Sequence, residues 1–175
     1  MRYGSVSTGL SAASVAWRPM GWEPVWFSEI NPFCNKVLKY HYPEVPNLGD
    51  MCRLDEQPYY HEQSIDVLEG GTPCQGFSLA GLRGGLADKR SNLALEFCRI
   101  LITKQPRWFV WENVPGVLSA FSDEAEGGEE VWQTSDFATL LEAFRKCGYS
   151  CAYRVFDSQY FGVPQRRRRV FVVGY

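Results

Sequence analysis

A short apolar run, Ile65-Asp66-Val67-Leu68, reads as a buried strand, and Gly70-Gly71-Thr72-Pro73-Cys74-Gln75-Gly76-Phe77-Ser78 breaks it abruptly. Two glycines and a proline force a tight, defined turn at the carboxyl end of that strand. Ligands of open α/β sheets bind outside such ends. Cys74 therefore stands where a nucleophile would be held. A free cysteine is more often a small buried hydrophobe. Here the proline before it, the glutamine after it and the surrounding glycines favour the reactive reading.

The same alternation of apolar run and turn recurs along the chain. Arg2-Tyr3-Gly4-Ser5-Val6 reads as a strand, Ser7-Thr8-Gly9 as a turn and residues 10–17 as a helix. Strand, small-residue turn and helix open a nucleotide-type βαβ unit, although Gly9 is the only glycine of the turn and the GxGxxG fingerprint is missing. Val25-Trp26-Phe27-Ser28 forms a second strand that closes at Glu29, and Asn31-Pro32 caps the next helix. An acid roughly 20 residues after the first turn commonly holds a ribose diol. Glu29 is either that acceptor or a solvated strand-end carboxylate. Residues 47–51 read as a short third strand or a strand-end turn. Asp50 there either accepts from an adenine amino group or closes an Asx turn.

Residues 79–86, after the cysteine loop, are too rich in glycine for a helix and too long for a tight turn. Such a segment suits a lid or binding loop, and Arg83, Lys89 and Arg90 give it positive charge. Residues 92–104 read as a helix ended by Pro106. Trp108-Phe109-Val110-Trp111 is another buried strand, followed by Glu112-Asn113-Val114-Pro115-Gly116. Desolvation between strand and turn is expected to favour the protonated Glu112 carboxyl and make it an acid near neutral pH. Residues 123–130 are acidic and read as a solvated loop. Phe137, Leu140, Leu141 and Phe144 share a helix face, and strands are expected over 149–157 and 170–173. Between those strands lies Gln165-Arg166-Arg167-Arg168-Arg169. In an extended chain Arg167 and Arg169 face one way and Arg166 and Arg168 the other. Phosphate binding suits this run better than a localisation signal or surface salt bridges.

At 175 residues, with 45% hydrophobic and 22% charged residues, the chain suits one doubly wound α/β domain. Its net charge of −2 supplies no global basic field, so any nucleic-acid contact needs a local patch. The 6 cysteines form no CxxC and only 2 histidines accompany them, which argues against a metal site. No leader or membrane-length apolar run is evident, so a cytoplasmic protein with reduced thiols is expected.

Gly70-Gly71-Thr72-Pro73-Cys74-Gln75, Glu112-Asn113-Val114 and Gln165-x-Arg167-x-Arg169, in this order, resemble the catalytic part of cytosine-5 DNA methyltransferases, especially short phage and prophage types. The resemblance covers essentially all of residues 1–175. It implies a Rossmann-like methyltransferase fold, mostly parallel with an antiparallel final strand, and S-adenosylmethionine as cofactor. It implies Cys74, Glu112, Arg167 and Arg169 as catalytic. Ser7, Thr8, Gly9, Leu10, Glu29, Asp50, Pro73 and Leu93 would bind the cofactor, and Gln75, Ser78, Asn113 and Gln165 the substrate. The partner would be double-stranded DNA with a flipped cytosine. Ser7 stands where the family usually has an aromatic residue. The family also continues into a target-recognition region and a final helix, which residues 1–175 lack. A partner-dependent fragment, with a second chain supplying target choice, a non-catalytic module and an RNA methyltransferase are the alternatives.

Overall fold

Six strands form one sheet among the described residues, 1–72, 93–119 and 136–175 of a computed structural model. They are β1 (Arg2–Val6), β2 (Glu23–Ser28), β3 (Val67–Gly70), β4 (Trp108–Asn113), β5 (Cys151–Asp157) and β6 (Arg168–Gly174), in the order β2-β1-β3-β4-β6-β5. Strands β1 to β4 run parallel, whereas β6 is antiparallel to both β4 and β5. The order of the parallel strands reverses at β1, which lies between β2 and β3. A doubly wound sheet opens its ligand crevice outside the carboxyl ends at such a switch point. Because β6 runs against β4, its first residues arrive at that same edge.

Side-chain alternation then sorts core from site. In β4, Phe109, Trp111 and Asn113 are buried, while Trp108, Val110 and Glu112 are partly exposed, the period of two that a pleated strand imposes. On one sheet face, Trp26, Leu68, Phe109, Trp111, Val170 and Val172 meet α3 (Pro58–Glu62), α4 (Leu93–Lys104) and α5 (Asp136–Lys146) in a single apolar core. Phe109 packs on Phe144 of α5 at 4.7 Å between ring centroids and on Phe97 of α4 at 5.9 Å. Burying each such side chain contributes roughly 1.5–3 kcal/mol. On the opposite face, Tyr3 bonds Ser14 of α1 (Ala12–Trp17) at 2.6 Å and packs edge-on against Trp17. Phe27 meets Tyr42, just past α2 (Pro32–His41), at 5.4 Å. Gly4 is required at its place, since a Cβ there would lie 2.2 Å from the Trp26 ring.

Local departures from the expected elements have local causes. The first helix starts at Ala12, not Leu10, because Gly9 and Ser11 both adopt positive φ (57° and 59°). Residues 47–51 form no strand. Asn47 makes one bridge to Phe27, and Asp50 then caps a 3-10 helix, Met51–Glu56, by accepting from the Cys52 N–H. Asn31 caps α2 as expected, accepting from the N–H groups of Phe33 and Cys34, with Pro32 in the first turn. The Pro73–Ser78 stretch, the glycine-rich residues 79–86 and the acidic residues 123–130 lie outside the described residues.

Candidate active site

The loop after β1 is held by hydrogen bonds that reach across to β2. Thr8 donates from its hydroxyl to the Ser5 carbonyl at 3.1 Å and from its N–H to the Ser28 carbonyl at 3.3 Å. The Glu29 carboxylate is buried at the end of β2 and accepts three backbone donors: Gly9 N–H at 2.6 Å, Ile30 N–H at 2.8 Å and Asn31 N–H at 2.7 Å. A carboxylate offers about four acceptor positions. Glu29 therefore braces the first loop and keeps one position for a ligand, fewer than the two a ribose diol would use. Ser7 lies at φ 49° with its hydroxyl toward the Met51 sulfur at 3.7 Å, and the Leu10 side chain is exposed.

Asn47 carries no local signal that would single it out. Its side-chain carbonyl accepts from the Glu29 N–H and its amide donates to the Glu29 carbonyl, both at 3.0 Å. That two-way clamp sets the 47–50 segment beside the end of β2. Asp50 is exposed there and makes the Asx-type cap, one oxygen accepting from the Cys52 N–H. Leu93, the first residue of α4, is partly buried against the core. Pro73 lies outside the described residues.

The second cluster sits where β3, β4 and β6 meet at the same edge. The exit of β3 runs so close to β4 that a Cβ on Gly71 would lie 2.9 Å from Oε2 of Glu112. Thr72 is locked by Trp111 Nε1 donating to its hydroxyl at 3.0 Å and by Asn113 Nδ2 donating to its carbonyl at 2.8 Å. Asn113 is itself buried and braces the exit of β3 that leads toward Cys74. Glu112 is 33% exposed and its Oε1 lies 2.9 Å from Nε of Arg169. Glu112 thus has an arginine partner beside its apolar flanks. Arg167 contributes its backbone N–H to Asp157 at 3.1 Å, and Gln165 is exposed with its carbonyl bonded by the Ser158 hydroxyl. Cys74, Gln75 and Ser78 lie outside the described residues, whereas the strand that delivers them ends beside Glu112.

Glu69 was also not anticipated, although a carboxyl inside Val67-Leu68-Glu69-Gly70 was the available signal. It accepts from the Ser5 hydroxyl at 2.6 Å. Burial pushes its carboxyl up to about 7, the Ser5 bond opposes this, and the nearby Glu112 charge adds to the rise. The native state thus holds this proton more tightly than the unfolded chain does. The resulting stability is full below the ordinary carboxylate value and is lost as pH rises through about 7. Glu69→Gln is expected to match the parent near pH 4.5 and exceed its stability by up to about 3 kcal/mol at pH 8, measured by urea denaturation at both values.

Among the described residues no group of histidine, cysteine and acidic side chains could hold a metal, and no helix is long and apolar enough to cross a membrane.

The family model for C-5 cytosine-specific DNA methylase matches residues 1–175. The chain belongs to that family. A DNA N-6-adenine-methyltransferase of Escherichia phage P1 is 43% identical over 98% of this chain, which covers 28% of that protein. The Type II methyltransferase M.NgoBV of Neisseria gonorrhoeae is 34% identical over 87% of the chain, which covers 34% of it. The chain thus spans about a third of these two relatives. It spans 70% of the Type II methyltransferase M.AquIA of Picosynechococcus, at 33% identity over 97% of its own length. Among solved structures, a DNA modification methyltransferase encoded within an E. coli prophage superposes with a TM-score of 0.72 at 22% identity, covering 99% of this chain and 46% of that one. DNMT2 of Spodoptera frugiperda gives 0.71 at 20%, covering 99% and 49%. Both show the same methyltransferase fold.

C-5 cytosine methylases use S-adenosylmethionine. The residues present fit that group. The free acceptor position on Glu29, the exposed acid Asp50 and the exposed Leu10 lie along one edge, offering hydroxyl, amino and apolar contacts in turn.

Proposed function

We propose that this chain transfers a methyl group from S-adenosylmethionine to carbon 5 of cytosine in DNA, on a base turned out of the duplex. The observation that supports this best is the Glu112–Arg169 pair, set against Gly71 where β3 leads toward Cys74. Carbon 5 of cytosine is too electron-poor to attack a methyl donor unaided. The Cys74 thiolate adds to carbon 6, forming a carbon–sulfur bond and moving electron density to carbon 5. Glu112 holds ring nitrogen 3 by a proton or hydrogen bond, which makes that addition easier. Arg169 orients Glu112 and stands within reach of the base carbonyl. S-adenosylmethionine supplies an electrophilic methyl group. Loss of the carbon 5 proton and departure of the Cys74 sulfur then restore the ring double bond.

In this reading Ser7, Thr8, Gly9, Leu10, Glu29, Asp50, Pro73 and Leu93 surround the cofactor. Gln75, Ser78 and Gln165 meet the substrate, Arg167 assists at the base or a phosphate, and Asn113 positions the loop. The setting is the cytoplasm of a bacterial or phage-infected cell.

The phage P1 relative, named for adenine N6, supports a second reading. That name describes a protein of which this chain covers 28%. Nucleoside analysis of DNA incubated with the chain and S-adenosylmethionine separates the two. We expect 5-methylcytosine. N6-methyladenine as the product would overturn the reading, and no methylated nucleoside would favour a non-catalytic or partner-dependent chain.

A further inference from the structure

A cleft of about 770 Å³ opens at the outer end of the sheet, formed by β5, the turn after it and the start of β6. Arg154, Arg166 and Arg168 line it, together with Asp157, Tyr160 and Phe161. It contains neither Glu112 nor any residue of the loop after β1. All three arginines are exposed, and none is paired with a carboxylate among the described residues. The single acid, Asp157, is already committed: its oxygens accept from the N–H groups of Arg167 and Gln159 and from the Gln159 amide. The cleft therefore keeps a positive excess inside a chain whose net charge is −2. Tyr160 is 80% exposed and Phe161 66% exposed. Large rings left bare beside unpaired guanidinium groups match a ligand that is both anionic and flat-faced.

The position is as specific as the composition. Asp157 ends β5 at the edge where β4 presents Glu112, because β5 runs in the same direction as β4 across the reversed β6. Two strand spacings separate β5 from β4, about 10 Å. Duplex DNA advances about 3.4 Å per base pair. A backbone whose reacting base lies at Glu112 passes the cleft within about three steps. Arg169 turns to Glu112, whereas Arg168, on the other face of β6, enters the cleft; β5 is the edge strand, and its Arg154 reaches the cleft from the face it shares with Glu112.

We propose that this cleft is a DNA subsite, in which Arg154, Arg166 and Arg168 hold phosphodiester groups flanking the reacting base and Tyr160 stacks on a base exposed by strand opening. This rests on the reading of the chain as a DNA methyltransferase.

The test compares the parent chain with an Arg154→Gln/Arg166→Gln/Arg168→Gln variant by fluorescence anisotropy of labelled duplex DNA across a salt series. Each lost phosphate contact should flatten the slope of log affinity against log salt by about 0.9, so a total change of about 2 to 3 is expected. Tyr160→Ala should weaken binding of single-stranded DNA roughly tenfold and leave that slope unchanged. An unchanged slope in the triple variant overturns the subsite, and unchanged single-strand affinity in Tyr160→Ala overturns the stacking. Arginine-dependent binding of pyrophosphate without DNA binding would make this a free-phosphate site, and preferential binding of duplex RNA would make it an RNA site. Either result overturns the proposal. Product analysis on the same preparation tests the enzymatic reading separately: a parent chain that binds DNA but forms no 5-methylcytosine counts against that reading alone, and one that binds no DNA overturns both.

Discussion

Cys74→Ser is expected to cut methyl transfer by at least about 10⁴-fold, the scale on which other enzymes register loss of a covalent nucleophile. Serine keeps nearly the same size, but its hydroxyl stays protonated at neutral pH where a thiol is partly ionised. The loss should fall on kcat, with cofactor affinity retained. The direct measurement uses duplex DNA carrying 5-fluorocytosine. Fluorine cannot leave carbon 5 as a proton does, so the parent chain should stay bonded to the DNA through denaturing electrophoresis. The Cys74→Ser chain should give no such band. A persistent band in Cys74→Ser would move the nucleophile elsewhere, and its absence in a parent that makes 5-methylcytosine would remove the covalent step.

Glu112→Gln is expected to lower kcat by about 10²- to 10⁴-fold, the usual contribution of a positioned acid. The amide keeps a hydrogen-bond donor for ring nitrogen 3 but cannot give up a proton. It also removes the charge that faces Arg169 at 2.9 Å. Both side chains retain solvent contact, and exposed pairs contribute about 0–1 kcal/mol, so urea denaturation should shift little. A large fall in kcat with near-parental stability would place Glu112 in the chemistry. A parallel fall in both would reduce it to a structural partner of Arg169.

The sheet was largely legible because its strands are apolar runs cut off by Gly, Pro or an acid. Val25-Trp26-Phe27-Ser28, Trp108-Phe109-Val110-Trp111 and Val170-Phe171-Val172-Val173 all lie within strands. Of the readings of the 47–51 segment, the strand fails and the Asx turn at Asp50 holds; the segment's place is set by a long-range clamp from Asn47 to the Glu29 backbone that no local pattern encodes. Glu112 was found as a residue, but its ion pair depends on β6 running backwards beside β4. Asn113 was legible as part of a motif, yet strand alternation buries it and turns it toward Thr72. Glu69 escaped because a lone acid in a short apolar run has no partner until β1 brings Ser5 alongside.

The reversed course of β6 also bears on how the chain can be extended. Seven residues, Arg168–Gly174, carry it from the edge that holds Glu112 to the far side of the sheet, a path of about 20 Å. There Tyr175 packs on Trp108 at 4.4 Å between ring centroids, at the beginning of β4. A sequence-reading module joined after Tyr175 would emerge at the end of the sheet opposite Glu112. Its tether would need at least about seven extended residues to bring the module back to the base being modified. Shorter tethers would hold it away from the DNA however well it recognised its site, so in fusions of this domain tether length becomes a control on targeting.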